Sequence, residues 1–565
     1  MTHTANPVSR IMKLVSLERK EISQIYFYAV LYGILMLVIP LGIQALIAYA
    51  QTNMVSASVI LLVVLIVLSV FISGVLQINQ MKVIEKIQQK VFVRYAFDFA
   101  GKIPGLNLSG IDNYYLPELV NRFFDTLTLQ KKIAKLLLDF PLAIVQIFFG
   151  LVLLAFYHPI FIAFGLLVVA VVFAILYFSG MRGLSTSIEE STYKYRVVAW
   201  LQEMARIIRS VKFAKSPLFA LQKADADVTN YVQARTAHFK ILLLQYKTLV
   251  AFKVLVTATM LFAGTFLLIN QQLTVGQFIA AEIVILTILN SVEKLIINLD
   301  SVYDVLTAIE KIEQVTDKEA EPRGSLQYTG IDSGMAVSLQ HLSFNYPGSG
   351  YALKDVSFAV TAGEKVCITG EGGTGKSTLL RLLAGIYNRF EGSILFDSIP
   401  VNNYNLQSLR LRMGLMISQQ DIFNGSLLEN ICMGIEQPNM QEIQLLSKKI
   451  GLTDFIATLA NGFDSTLQTN GRKLPANVVK KILLLRAIIN QPALLLLEEP
   501  WHGLEEQYQQ QIKHFLLHEM KNTTLFVITN DESFSGNCDT IIDLKKEACT
   551  VTRRNAAIPG EGTSL

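Results

Sequence analysis

Gly370-Glu371-Gly372-Gly373-Thr374-Gly375-Lys376-Ser377 follows the strand-like run 365–369 and leads straight into Thr378-Leu379-Leu380. The spacing is G-x-x-x-x-G-K-[ST], set between a strand and the start of a helix. Glycines there let backbone N–H groups turn inward around a phosphate. Lys376 neutralises its charge, Ser377 offers a hydroxyl to Mg²⁺, and the helix N-terminus adds its dipole. This stretch predicts an α/β domain with an anion site at the C-terminal edge of its sheet.

A second pair of groups reaches the same edge. Ala493 and Leu494 to Leu497 read as a buried strand that ends in Glu498-Glu499. Two carboxylates thus emerge where nucleotides bind in α/β folds. One can hold a metal's water while the other activates an attacking water; the plain alternative is an acidic strand end with no role. From Val337 onward, strand-length apolar runs alternate with helical stretches, as an α/β domain requires.

Upstream of residue 300 the pattern is that of a bilayer protein. The 565 residues exceed what one core holds. With 52% hydrophobic and only 17% charged residues, and a mean hydropathy of +0.42, the chain lies well off the soluble average. Runs of about 20 apolar residues, enough to cross hydrocarbon, occur at 25–50, 55–78, 134–157, 159–180, 246–270 and 276–299. The short links between paired runs carry no Lys or Arg. The two long connections carry many, among them Lys82, Lys86, Lys90 and Arg94 in one and Arg182, Lys194, Arg196 and Arg206 in the other. The positive-inside rule therefore places the long connections, both termini and the α/β domain in the cytoplasm. Both connections read as helical continuations of the spans, turning near 112–119 and 217–221. Residues 7–20 mix basic and apolar side chains, which suits either a helix lying on anionic membrane lipids or a snorkelling flank.

Other classes drop out. Lys and Arg number 49 against 45 Asp and Glu, a formal +4, too weak a bias for a nucleic-acid partner. Cys367, Cys432, Cys538 and Cys549 lack C-x-x-C spacing and imply neither a disulfide framework nor a zinc site. The expected domains are a transmembrane domain at 1–315, a charged and Gly-containing linker at 316–336, an α/β nucleotide-binding domain at 337–552, and a tail at 553–565.

Together these residues resemble the ATP-binding cassette (ABC) transporter superfamily, specifically the exporters that fuse six membrane helices to one nucleotide-binding domain. The resemblance covers nearly the whole chain. It implies a polytopic α-helical membrane domain followed by an α/β P-loop NTPase domain, ATP and Mg²⁺ as cofactors, a dimer of such chains, and a multi-pass place in a bacterial cytoplasmic (inner) membrane. It also implies residue roles. Tyr346 matches the aromatic that stacks on adenine, and Gly370, Gly372, Gly373, Thr374, Gly375, Lys376, Ser377 and Thr378 form the Walker A cradle. Gln419 matches the Q-loop glutamine at the metal and the attacking water, in a Q-loop one residue short. Glu498 takes the Walker B metal position and Glu499 that of the catalytic glutamate, and the two cytoplasmic turns match coupling helices. The membrane half is similar to bacterial type I protein secretion exporters, with no peptidase domain before it. That likeness implies a membrane-fusion adaptor as a further partner.

Departures from the family gather on the groups that complete hydrolysis. Where the signature Leu-Ser-Gly-Gly-Gln belongs, the chain has Leu474-Pro475-Ala476-Asn477-Val478, and Arg486-Ala487 and Pro492 keep the family spacing from there to Glu498. Pro475 is expected in the first turn of the following helix, where it removes both hydroxyl and amide as phosphate donors. Glu498 stands for the Walker B aspartate, His502-Gly503-Leu504-Glu505 for the D-loop, and Asn530 for the switch histidine. These changes predict a half that binds Mg-ATP but hydrolyses it slowly as a homodimer, and point to a heterodimer in which another ABC half brings the intact signature and histidine. A non-pumping ATP-binding membrane regulator or scaffold is the alternative. Lipids, drugs, peptides and proteins all remain open as substrates.

Charges inside spans need an account. Glu282 either faces a translocation path or is hydrogen-bonded between helices. Lys253 and Asp139, nearer the cytoplasmic ends, are expected to snorkel.

Overall fold

The computed structural model describes residues 16–51, 57–110, 116–322, 324–330, 334–348, 350–418, 421–546 and 548–554. They form two units: residues 16–104 with 116–318, and residues 105–110 with those from 319 onward.

The first unit is all helix, with six spans long and apolar enough to cross a membrane. Helix α1 (Arg19–Met36) continues after one residue into α2 (Val38–Gln51). There follow α3 (Ala57–Lys102), α4 (Asp125–Tyr157), α5 (Ile160–Arg206), α6 (Phe219–Ile269), α7 (Val275–Ile297) and α8 (Leu299–Thr316). Helices α3, α5 and α6 contain 46, 47 and 51 residues. At ~1.5 Å per residue each is roughly 70 Å long, more than twice the ~30 Å of hydrocarbon, so the long connections are helical continuations of the spans. Helix α5 packs along α6, α4 against α7 and α8, and α1 against α3 and α4, with Leu154, Leu249 and Ile288 fully buried among them. A Cβ on Gly183 of α5 would lie 2.4 Å from the Tyr303 ring of α8, so glycine is what allows that approach.

Lys253 and Asp139 are paired rather than snorkelling. Lys253 donates to Glu293 across α6 and α7 at 2.6 Å, and Asp139 of α4 accepts from the Asn298 amide at 2.9 Å. In both cases a neighbouring helix supplies a partner at the depth where the sequence shows only a lone charge. Glu18, 2% exposed, accepts from Lys90 at 3.1 Å and Arg94 at 2.5 Å, tying the start of α1 to the far part of α3. Most of the 7–20 segment, residues 7–15, lies outside the described residues. The second turn falls earlier than expected. Residues 213–218 make it, after a short helix Ile208–Lys212, and α6 already begins at Phe219. Pro217 stays in the turn, with Leu218 as the N-cap, and the first helical hydrogen bond runs from the Gln222 amide to the Leu218 carbonyl at 2.8 Å. Of the first expected turn, 111–115 lie outside the described residues and Leu116–Val120 is helical.

The second unit is α/β. Strands β1 (Val337–Asn345), β2 (Tyr351–Val360), β4 (Glu391–Phe396) and β5 (Ile399–Pro400) form an antiparallel sheet in the order β2-β1-β4-β5. Strands β3 (Lys365–Thr369), β6 (Met413–Met416), β7 (Leu494–Glu498), β8 (Thr524–Ile528), β9 (Thr540–Leu544) and β10 (Cys549–Arg553) form a second sheet in the order β10-β9-β3-β8-β7-β6, parallel except for β10. Continuous apolar runs such as Leu494 to Leu497 are buried on both faces, as parallel strands covered by helices must be. Ile528 pairs with both Ile368 and Glu498, so β3, β8 and β7 end level with one another at one edge.

The segment read as a linker is fastened along this unit. Ala320 bridges Leu106, the Asn107 amide donates to the Glu319 carbonyl at 3.0 Å, and the Glu321 amide to Gly105 at 2.9 Å. Arg410 grips Glu321 through two contacts of 2.7 and 2.8 Å. Gly324 lies so close to the chain at Asn403 that a Cβ would sit 2.2 Å from that residue's carbonyl. Charges that look solvated in the sequence are ion-paired here.

Candidate functional site

The cradle begins where β3 ends. Gly370, Gly373 and Gly375 have φ of 136°, 81° and 92°, values that L side chains rarely adopt. A Cβ on Gly370 would lie 2.2 Å from the Leu544 carbonyl, and one on Gly375 2.2 Å from that of Ala352. Gly372 differs, since a Cβ there would meet nothing within 4 Å. The loop opens into helix α9 (Lys376–Leu383), with Gly375 as its N-cap, so free N–H groups of the first turn face the loop. The Thr374 hydroxyl donates to the Glu371 carbonyl at 3.0 Å. Lys376 folds back over the loop and donates to the Gly370 and Glu371 carbonyls, both at 2.6 Å.

Beside α9, the Tyr346 hydroxyl lies 3.1 Å from that of Thr378 and accepts from Arg381 at 3.2 Å. Its ring stands edge-on to Phe344 and Tyr387, with centroids 5.0 and 5.5 Å away. The aromatic is thereby placed next to the cradle on a rigid cluster.

At the end of β7 the two carboxylates have separate environments. Glu498 accepts from the Ser377 hydroxyl at 2.5 Å and from the Ser418 amide at 2.9 Å. Burial alone would raise its carboxyl. The Ser377 hydroxyl and the Ser418 backbone and side chain outweigh burial and hold it below the usual range. Glu499 is left-handed at φ 47°, with its amide on the Ile528 carbonyl at 3.0 Å. Burial pushes its carboxyl up, only partly offset by His502 and Lys480. It lines a cleft with Trp501, His502, Thr529, Asn530 and Asp531. The two neighbours are thus shifted in opposite directions, the division of labour that acid–base chemistry uses. Gln419 lies outside the described residues.

The donor set fits a nucleotide with a hard divalent cation. The cradle is a close-fitting glycine loop at a helix N-terminus, and Ser377 and Glu498 present oxygen ligands beside it. Among the described residues no cluster of three or more His, Cys, Asp or Glu could hold a metal without such a ligand.

The altered signature is built differently from expectation. Pro475 is the N-cap, not a first-turn residue, of helix α10 (Ala476–Ile488): its ψ of 144° is extended, and its carbonyl accepts from Val478 and Val479 at 3.0 and 3.1 Å. Its carbonyl already starts the helix, so Ala476 takes the first-turn place. Three neighbouring side chains make contacts that no motif marks. Asn477 donates to Glu505 at 3.0 Å, Lys481 reaches the same carboxylate at 3.0 Å, and Lys480 donates to the backbone carbonyls of Glu499 at 3.1 Å and His502 at 2.7 Å. The signature helix is therefore stapled within its own chain to the turn that carries Glu499. The only sequence signal was a Lys pair in a helix otherwise rich in apolar residues.

Asp531, just past Asn530, caps the short helix Glu532–Ser535 and pairs with Lys513. Burial opposes its charge, but Lys513 and Ser533 prevail and bring it to about 2. A depressed carboxylate stabilises the fold above its unfolded value and loses that contribution as pH falls through it. Asp531→Asn should cost about 1–2 kcal/mol at pH 7, allowing for partial solvent screening, and almost nothing near pH 2. Thermal unfolding read from Trp501, which packs on Phe534 at 4.6 Å, in a Trp200→Phe background measures this.

Comparison with known proteins bears on both units. The ABC transporter family model matches residues 353–502, and the ABC transporter transmembrane region model matches 98–292. The chain is 32% identical over 237 residues to the ATP-dependent lipid A-core flippase of Saccharophagus degradans, covering 42% of this chain and 40% of that one. It is 28% identical over 341 residues to the flippase of the same name from Alkalilimnicola ehrlichii, covering 59% of this chain and 57% of that protein. To that of Desulfotalea psychrophila it is 24% identical over 487 residues, 85% of each chain. Several curated relatives are thus matched over only about half their length. A solved structure described as a bacterial Atm1-family ABC exporter with ATP bound superposes with a TM-score of 0.84 at 19% identity over 94% of both chains, a likeness of fold. These named relatives are lipid flippases, not the protein-secretion exporters to which the membrane half was likened.

Proposed function

Because the chain belongs to the ABC transporter family, as a half-transporter with its membrane region and its cassette in one polypeptide, we propose that it is one half of a two-chain ATP-driven exporter whose own hydrolytic machinery is incomplete. The observation that carries this reading is the contrast between the two ends of the cassette. The cradle keeps its left-handed glycines, Lys376 and Ser377, while the signature helix starts on Pro475, which has neither hydroxyl nor N–H to offer a phosphate. Cradle N–H groups and Lys376 bind the phosphates, and Tyr346 offers a ring to the base. Ser377 and Glu498 would hold Mg²⁺, which when bound neutralises phosphate charge. Glu499 takes a proton from the attacking water. The partner's signature then closes this chain's site, whereas Pro475 leaves the opposite site short of donors.

The cargo we infer is an amphipathic, lipid-like molecule moved outward, supported by the names of the relatives and by the apolar surfaces of the spans. Charge distribution supports cytoplasmic termini and cassette. One observation favours the rival, a non-pumping clamp: Asn477 and Lys481 are already committed to Glu505 inside the chain.

The test is to measure nucleotide binding and turnover on the purified chain. Tight Mg-ATP binding with turnover at least roughly tenfold below that of an exporter with an intact signature fits the loss of donors; no binding overturns the reading. A pH profile adds a second expectation. A base must be ionised, and burial raises Glu499, so hydrolysis with a partner half should fail at a higher pH on acidification than an ordinary carboxylate would allow. The acid limb should disappear in Glu499→Gln along with most of the activity.

A further inference from the structure

We propose that Glu282 is an intramembrane recognition site for a cationic group, an amine or quaternary ammonium, on the exported amphiphile. This rests on the export reading and names its substrate class. The sequence leaves Glu282 either facing a path or hydrogen-bonded between helices, and the structure separates the two. Four other polar side chains of α7 have partners, and Asn290 and Lys294, nearer its cytoplasmic end, are exposed. Ser291 bonds Gln146 at 2.8 Å, Thr287 donates to the Ile283 carbonyl at 2.8 Å, Glu293 holds Lys253 at 2.6 Å, and Gln277 closes the capping box with Thr274. Glu282 has no hydrogen-bond or ion-pair partner among the described residues.

Its position makes this meaningful. Glu282 is two turns in from the outer end of α7, about 10 Å along the axis, and half-buried. One turn to either side on the same strip, Ile279 is 37% and Leu286 46% exposed, while Ala281, Ile285 and Ile288 on the other side are buried in the unit. The carboxyl thus stands at the edge of an apolar face that points away from its own bundle. A charge facing hydrocarbon is costly, and such residues mark binding sites or pathways. Of the two lysines in the neighbouring span, Lys253 is already neutralised by Glu293, and Lys247 lies about 9 Å further along the helix toward its cytoplasmic end. A cation must therefore come from outside the unit, and a cargo with a cationic head and an apolar body meets the carboxylate and the Ile279 and Leu286 side chains together.

The test uses the full chain in nanodiscs without nucleotide, with empty nanodiscs as the blank, and two probes of one shape and opposite charge, tetraphenylphosphonium and tetraphenylborate. Wild type should bind the cation at least roughly tenfold more tightly than the anion. Glu282→Gln should erase that preference and Glu282→Asp keep most of it. ATP binding, measured on the same samples, should be unchanged in all three, so that loss of this site is distinguishable from failure of the export reading. No charge preference in the wild type, or an unaltered one in Glu282→Gln, overturns the proposal. So does a Glu282→Gln variant whose main change is its dimer fraction, because a second copy would then cover the carboxyl.

Discussion

Restoring Ser-Gly-Gly-Gln at 475–478 together with Asn530→His and Glu498→Asp should raise ATP turnover of the chain alone by about 10²–10³-fold. The figure follows from the ~2.7–4 kcal/mol that one preorganised donor to a developing charge is worth. Pro475 supplies neither hydroxyl nor N–H, and Asn530, exposed at the cleft beside Glu499, cannot carry a positive charge. The repair should not unfold the helix. Pro475 occupies the N-cap with extended ψ, the position serine favours most, so a serine there satisfies an orphan N–H as well. Replacing Asn477 frees one oxygen of Glu505 but leaves Lys481 on the other. Signature and histidine act on one phosphate from different subunits, so their effects should be non-additive. A repaired chain that folds, binds ATP and stays inactive would favour the clamp.

Lys376→Ala should weaken nucleotide binding by roughly 10- to 150-fold, the effect of losing one charge-assisted contact worth ~1.5–3 kcal/mol. In the structure the amine lies across the cradle on two loop carbonyls, 2.6 Å from each, so it already overhangs the phosphate position. Fluorescent ATP titration of wild type and variant checks this. Unchanged affinity would mean that the loop does not hold the phosphates.

What was legible in the sequence was whatever depends on a period or a spacing. Six apolar runs gave six spans, and continuous runs such as Leu494 to Leu497 gave buried parallel strands. The glycine spacing gave a loop whose Gly370 and Gly375 tolerate no side chain. Gly372 fits the same spacing with no steric need for glycine, so the motif alone overstates that position. Partnerships between distant residues were not legible. Lys253 and Asp139 look like lone charges until Glu293 and Asn298 arrive from another helix. Lys480 looks solvated, yet it donates to the carbonyl of the very glutamate that the strand end singles out. Proline suits both the cap and the first turn, so the sequence does not separate the two, and Pro475 sits at the cap. Glu319 and Glu321 look like linker charges until Arg389 and Arg410 are brought beside them.

The central claim is that this chain binds ATP but leaves it uncleaved until another half supplies the signature. The direct measurement incubates the purified chain with Mg²⁺ and radiolabelled ATP, alone and with an ABC half that has an intact signature, and separates bound ATP from ADP. The account predicts retained ATP with little ADP in the first case and steady ADP formation in the second. Robust hydrolysis by the chain alone that disappears in Glu499→Gln would contradict it.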